Sequence, residues 1–538
     1  MTIDTTDRGG SRPTWKQVLT VLMVPALIGV ASASADAGAP GTTTTIAETG
    51  TDTTPAAQGG DLTIAIPTEP RSLHRDVDNN RSSVGIARTM VEQLVEGEEG
   101  EFAPSRNGLI TDWESVDDLT WRFTVREGVV FHNGELFDAE VAAYNVERAR
   151  DDATGATAPY FQLIDTATAS DATTFDVTTT APAPYLPALM MIVDAFPPDH
   201  YAEVSAEAFG RAPVGTGPFV FDEWAEGQHI SATRFDDYYR EPALVDSVTF
   251  TFASEESTRM ALLRTGDADI TNRLSPQAIT QLEGEEGVEV YTVPALMKIL
   301  LFFNLDQPPF DDVRVREAVA RAVDPQLLVD TVFEGVGAEA DANLFHPMFS
   351  SAGGHGEAYV TYDPERATAL LEEAGDIGPI DFHWPVGRYL LDNEVGEAVS
   401  GMLEAVGFEV NRDPLEAGAF FDLLLTDEMS GMHLLGSVPT FAHEDGPVAS
   451  YFTTNSVITY CADGSIDDLA AEGLSLPAGD ERDAVYNEIE RILITELICP
   501  IPLHIQVDGF ATTDEVHGFV ADFDESWHGL RSVSLTGR

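Results

Sequence analysis

Few side chains in this sequence are placed to break bonds. Twelve histidines occur, but no HExxH, GxSxG, CxxC or phosphate-loop pattern stands in a context that would use it. Gly335-Val336-Gly337 follows a helical stretch rather than a strand, so it is not read as a nucleotide loop. His132, His346 and His504 sit beside apolar residues or prolines and read as structural, while His433 and His443, ten positions apart, lack a third ligand for a metal. The expectation is a protein with no catalytic residue, metal or cofactor. What remains is recognition by shape and charge. Trp384, Arg388 and Tyr389 offer an aromatic wall and a cation for a carboxylate or other anion. Thr440, Phe441 and the acids Glu444 and Asp445 are candidates to face them from a second loop, and Glu69 and Ser72 are similar candidates near the start of the fold. For each, ordinary loop packing is the competing reading.

These residues need elements to hold them. Asp381 to Val410 reads as strand, polar loop, helix and strand, a βαβ unit whose first loop, Gly387-Arg388-Tyr389, is expected to carry the ligand face. Gly436 to Pro447 is a Gly/Pro-broken loop after a strand. Leu62, Ile64 and Ile66 alternate as a strand before the loop Pro67 to Leu73. Trp121, Phe123 and Val125 form one face of another, Asn133-Gly134 marks a turn, and Asp138 caps a helix running to about Arg150. From Ala212 to Ile270, Gly215 and Gly217 read as a tight turn, followed by a hairpin, a third strand and a helix. Val315, Ala318, Val319, Ala322 and Val323 make one apolar helix stripe, with Arg314, Arg316 and Arg321 on the solvated remainder. Asp324-Pro325 and Asp363-Pro364 start later helices with proline at the first helical position. Arg482 to Leu493 is the last large helix, after which Pro500 to Leu503 returns the chain toward its first lobe.

A chain of 538 residues exceeds one hydrophobic core, so two or three domains are expected. The 91 acidic residues against 29 basic ones leave a net charge of −62, and Lys16 and Lys298 are the only lysines. Such a surface repels nucleic acid and anionic lipid and suits a saline medium; a surface made to attract cations or basic peptides is the other reading. Arg8, Arg12 and Lys16 precede the apolar run Val18 to Ala31, and small residues reach Ala35, the pattern of an export signal. Residues 36–60 are rich in Thr, Ala, Gly and Pro and read as a disordered linker. Cys461 and Cys499 are the only cysteines: bridged, they would close a loop of about 39 residues, and two buried thiols are the alternative.

The stretch from Ala212 to Ile270, Trp121 to Gly134 (WRFTVREGVVFHNG), Asn304 to Asp324 (NLDQPPFDDVRVREAVARAVD) and Tyr362 to Ala367 (YDPERA) resembles, in residues and order, the extracytoplasmic solute-binding proteins of ABC importers, family 5. The resemblance implies an α/β fold, a two-lobed periplasmic-binding-protein type II architecture with an additional α+β domain. It divides the chain into a signal (1–35), a linker (36–60), lobe I (61–100, 212–297 and 505–538), the extra domain (101–211) and lobe II (298–504). The implied function is capture of a small organic solute, peptide or other, for an ABC permease. Presentation of the solute to a membrane signalling partner, or extracellular hydrolysis, are the alternatives. A monomer, periplasmic or extracellular, tethered if the signal is not cleaved, is expected. Peptide receptors of this family carry an aspartate before an aromatic residue in the second loop, as partner for the peptide's ammonium; Thr440-Phe441 stands there instead, which favours other solutes or peptides held by backbone.

Overall fold

The computed structural model describes residues 58–536 apart from 98–101, 153–157, 353–360, 440, 457 and 459. The segment read as an export signal, most of the linker and Thr440 lie outside these.

Among the described residues, eleven strands form one mixed sheet. At one end Val410–Glu416, Ile380–Val386 and Met432–Ser437 run parallel. At the other, Asp61–Ile66 lies parallel to Ser247–Phe252 and to Ile270–Asn272, and the hairpin strands His229–Arg234 and Phe219–Ala225 complete the edge. Two long strands join the ends. Val288–Phe303 and Ile501–Thr513 pair antiparallel from Val288 opposite Thr513 to Leu301 opposite Ile501, and their register slips between Pro294 and Lys298 and again between Ile299 and Leu300. Ala338–Ala340 adds to the second of them.

Each sheet end has its own core. Residues between Ile299 and Leu503, Phe302, Trp384, Val399 and Tyr486 among them, form one. Leu62, Ile64, Phe250, Phe510 and Trp527 belong to the other, which therefore draws on both ends of the folded chain. A third core lies between Leu94 and Ala195, where the helix Ala139–Asp152 packs on an antiparallel sheet of Ile110–Asp117, Thr120–Val125, Thr174–Thr179 and Ile164–Ala169. Phe441 joins this third core from far along the chain.

Local signals account for much of this. Asp138 accepts the amides of Glu140 and Val141, and Asp324 and Asp363 cap their helices in the same way. The helix Val313–Ala322 buries Val315, Ala318, Val319 and Ala322 as its stripe predicts. Arg316 departs from expectation. It is buried rather than solvated, because its guanidinium finds the carbonyls of Phe310 and Leu497. Gly215 and Gly217 also serve a different end: a Cβ on Gly215 would stand 2.2 Å from the Met90 carbonyl oxygen, so close backbone approach, not turn geometry, requires glycine there.

Candidate functional site

The strand Ile380–Val386 ends in the loop Gly387–Leu391, at the carboxyl edge of three parallel strands, where α/β sheets open toward ligands. The loop is held from within. The Asp392 carboxylate accepts the amides of Gly387 (3.2 Å), Arg388 (2.7 Å) and Tyr389 (2.9 Å) as Leu391 turns left-handed at φ 52°. Backbone donors that would otherwise suit an anion are thus taken by the chain's own carboxylate. The cation left to the loop is the side chain of Arg388, which is exposed, its guanidinium 5.9 Å from the Tyr389 ring centre and 5.8 Å from that of Phe421. Tyr389 packs against Gly436, where a Cβ would come within 2.6 Å of its ring. Burial raises the Tyr389 phenol above its ordinary value.

Trp384 is not beside them as a wall. It is fully buried, its indole donating to Asn393 at 3.3 Å and packed on Gly396, where a Cβ would stand 2.3 Å from the ring. The rings near Arg388 are instead the buried Tyr389 and, from the helix Ala417–Leu425, Phe421. Glu69 and Ser72 are engaged in local ties: Glu69 accepts Trp224 Nε1 (2.9 Å) and the Gly227 amide (3.1 Å), and buried Ser72 accepts the His74 amide (3.1 Å).

The second candidate loop faces elsewhere. Phe441 is enclosed by Tyr160 and Tyr185 of the 94–195 unit, and Asp445 accepts the Tyr160 hydroxyl at 2.7 Å and that of Tyr486 at 3.4 Å. Burial pushes Asp445 up to about 6 and His443 down to about 3. Glu444, wholly buried, accepts the Ser351 hydroxyl at 2.9 Å and lies 3.5 Å from Arg482. The structure therefore brings Arg388 and Tyr389 together, and Phe441 and Asp445 together, as separate groups. Thr440 lies outside the described residues.

Two connections had no sequence signal. Gln506, on a long joining strand, accepts the Leu390 amide (3.2 Å) and donates to Asp508 (3.2 Å), which also holds Arg81 at the start of the helix Arg81–Arg88. This ties the Gly387–Leu391 loop to the opposite end of the sheet. Lys298 pairs with Asp341 at 2.7 Å where the joining strands slip register. Burial lowers the Lys298 ammonium's value, and the carboxylates of Asp341 beside it and of Glu490 oppose this.

Among the described residues a hydroxyl, imidazole and carboxylate line up in Ser430, His383 and Asp413, with His383 Nδ1 2.9 Å from Asp413 and Nε2 3.3 Å from Ser430. Ser430 donates to Asp381 at 2.9 Å, so its proton is already engaged by a carboxylate, and the row acts as a staple across neighbouring strands.

Two sheet ends with separate cores, joined by paired strands and accompanied by a third α+β unit, define a two-lobed α/β binding protein with an additional domain. The chain belongs to the bacterial extracellular solute-binding proteins, family 5: the model for the middle region of that family matches residues 105–457. It is 27% identical over 366 residues to the glutathione-binding protein GsiB of Shigella flexneri, covering 66% of this chain and 70% of that one. In fold it is similar to the ABC transporter substrate-binding protein CtaP of Listeria monocytogenes, with a TM-score of 0.80 and 19% identity over 89% of this chain and 100% of that one. The Agrobacterium tumefaciens protein AgaA, solved with agropinic acid, gives a TM-score of 0.74 at 22% identity, covering 89% and 99%.

Proposed function

We propose that this chain is an extracytoplasmic receptor that captures an anionic or zwitterionic small organic solute between its lobes and delivers it to an ABC permease. One observation carries the solute class: Arg388 stands exposed at the ligand edge of the sheet, flanked by Tyr389 and Phe421, in a loop whose backbone donors are already satisfied by Asp392. A guanidinium between aromatic rings suits a carboxylate. One similar protein is named for glutathione and another was solved with agropinic acid, which agrees with an acidic solute. The paired joining strands, with their register slip at Pro294–Lys298, supply the bend about which lobes of this type close. Residues 1–35 act as the export signal in this reading, and the receptor works in the periplasm or outside the cell without turning its solute over.

The test is direct. The chain is purified natively in high salt, and the small molecule released on denaturation is identified by mass spectrometry. An acidic solute that binds again and is recovered unchanged supports the reading; a purely cationic solute, or one converted during binding, overturns it. Arg388→Ala is expected to weaken binding roughly tenfold to a hundredfold, the effect of losing a charge-assisted hydrogen bond.

A further inference from the structure

Phe441 projects from the second lobe, yet besides His443 of its own loop at 5.9 Å the rings around it belong to the additional unit, Tyr160 at 4.7 Å and Tyr185 at 6.0 Å between centres. Four residues on, the Tyr160 hydroxyl reaches both the carboxylate (2.7 Å) and the carbonyl oxygen (3.1 Å) of Asp445. One ring and one carboxylate, on a single loop, thus hold the second lobe against the additional unit. Both are buried, so no solute reaches them while this seam is shut. The Tyr185 hydroxyl at this seam is buried without a hydrogen-bond partner.

We propose that Phe441 and the Tyr160–Asp445 bond form a latch that holds the second lobe shut against the additional unit, opens for solute exchange, and takes up a proton as it shuts. The proposal rests on the receptor reading above.

The proton follows from what surrounds Asp445. It faces Tyr160 and Tyr185 from the additional unit, Tyr486 and Arg482 from the helix Asp480–Arg491, and His443 and Glu444 from its own loop. The tyrosines bring no positive charge. Arg482 is engaged with Glu444, and His443, neutral by burial, accepts the Asp445 amide at Nδ1 (3.1 Å). Among the described residues no cation pairs with Asp445, and a carboxylate buried in this way favours its neutral form. Protonated, it still accepts from Tyr160 on one oxygen and can donate toward Tyr486 from the other. With the latch open, Asp445 loses the Tyr160 side of its enclosure and moves toward the value of an ordinary carboxyl. Its value in the shut state, about 6, is the higher of the two, so shutting is favoured at low pH and loses that support as pH rises through about 6.

The test uses the full chain with a spin-label pair at E140C and E472C, exposed positions on the helices Ala139–Asp152 and Gly464–Ser475. The native cysteines are bridged to each other and do not compete for label. Distances are measured by double electron–electron resonance without added solute at pH 4.5 and 7.5. One short distance is expected at pH 4.5 and a second, longer one at pH 7.5, with the ratio of shut to open falling about tenfold or more. Asp445→Asn removes this pH response, and Tyr160→Phe, which keeps the ring against Phe441, populates the long distance already at pH 4.5. Identical distributions at both pH values, or a wild-type pH response retained in Asp445→Asn, overturn the latch. If the distances respond to pH but no solute of any class binds, the receptor reading fails and the seam's proton linkage stands.

Discussion

Asp392 accepts the amide of Arg388 at 2.7 Å, so the residue proposed to hold the solute is positioned by a carboxylate four places further on. That carboxylate also serves Gly387 and Tyr389. Asp392→Ala leaves several amides without an acceptor and is expected to cost about 1–3 kcal/mol in urea unfolding. It is also expected to weaken solute binding more than Asp392→Asn, whose amide oxygen still accepts. Equal binding by the two variants would remove Asp392 from this role.

Lys298, buried on a strand that joins the lobes, pairs with the half-buried Asp341. Removing one partner strands a charge, so Lys298→Met is expected to destabilise by about 3–5 kcal/mol. The double variant Lys298→Met with Asp341→Asn is expected to recover most of the loss. A double variant no better than the single one would mean that packing of the lysine stem, not charge, accounts for the effect.

Glu92 links stability to pH. Its carboxylate accepts hydroxyls from Tyr238 (2.8 Å), Tyr239 (3.0 Å) and Thr216 (2.8 Å), which favour the anion, but burial outweighs them and lifts it to about 7. A carboxyl raised on folding contributes stability at low pH that is lost as pH climbs through 7, roughly 3 kcal/mol in all. The unfolding free energy of the wild type is therefore expected to fall between pH 5 and 8 relative to that of Glu92→Gln, measured in the same salt. Parallel curves for the two proteins would rule this out.

Cys461 and Cys499, both buried, are joined across a sequence separation of 38. On the chain-entropy account the link is worth about 3–4 kcal/mol. The double variant Cys461→Ala with Cys499→Ala is expected to unfold its lobe at correspondingly lower denaturant, while the additional unit, followed through Trp113 and Trp121, unfolds as before.

Much of the fold was legible because its signals are local. Caps at Asp138, Asp324 and Asp363, the stripe on Val313–Ala322 and the alternation in Asp61–Ile66 each act within a turn or a strand. The site was less so. Trp384 read as a cleft residue, but its strand lies between two parallel neighbours, where residues on both faces are covered and alternation gives no guide. Phe441 and Asp445 meet Tyr160 across 285 positions in the case of Asp445, a partnership that no window of sequence contains. Arg316 misled for the opposite reason: its type points to solvent, and the carbonyls of Phe310 and Leu497 help make burial tolerable.

The core built on Leu62 and Phe250 is completed by Phe510, Trp527, Leu530, Val533 and Leu535. A ribosome therefore makes the first strands of this lobe well before the residues that cover them, whereas the residues of the Ile299–Leu503 core come out in one uninterrupted stretch. During synthesis the lobe begun first is the lobe finished last, and until its closing strand arrives, Asp61–Ile66 and Ser247–Phe252 present uncovered apolar faces for a chaperone to guard.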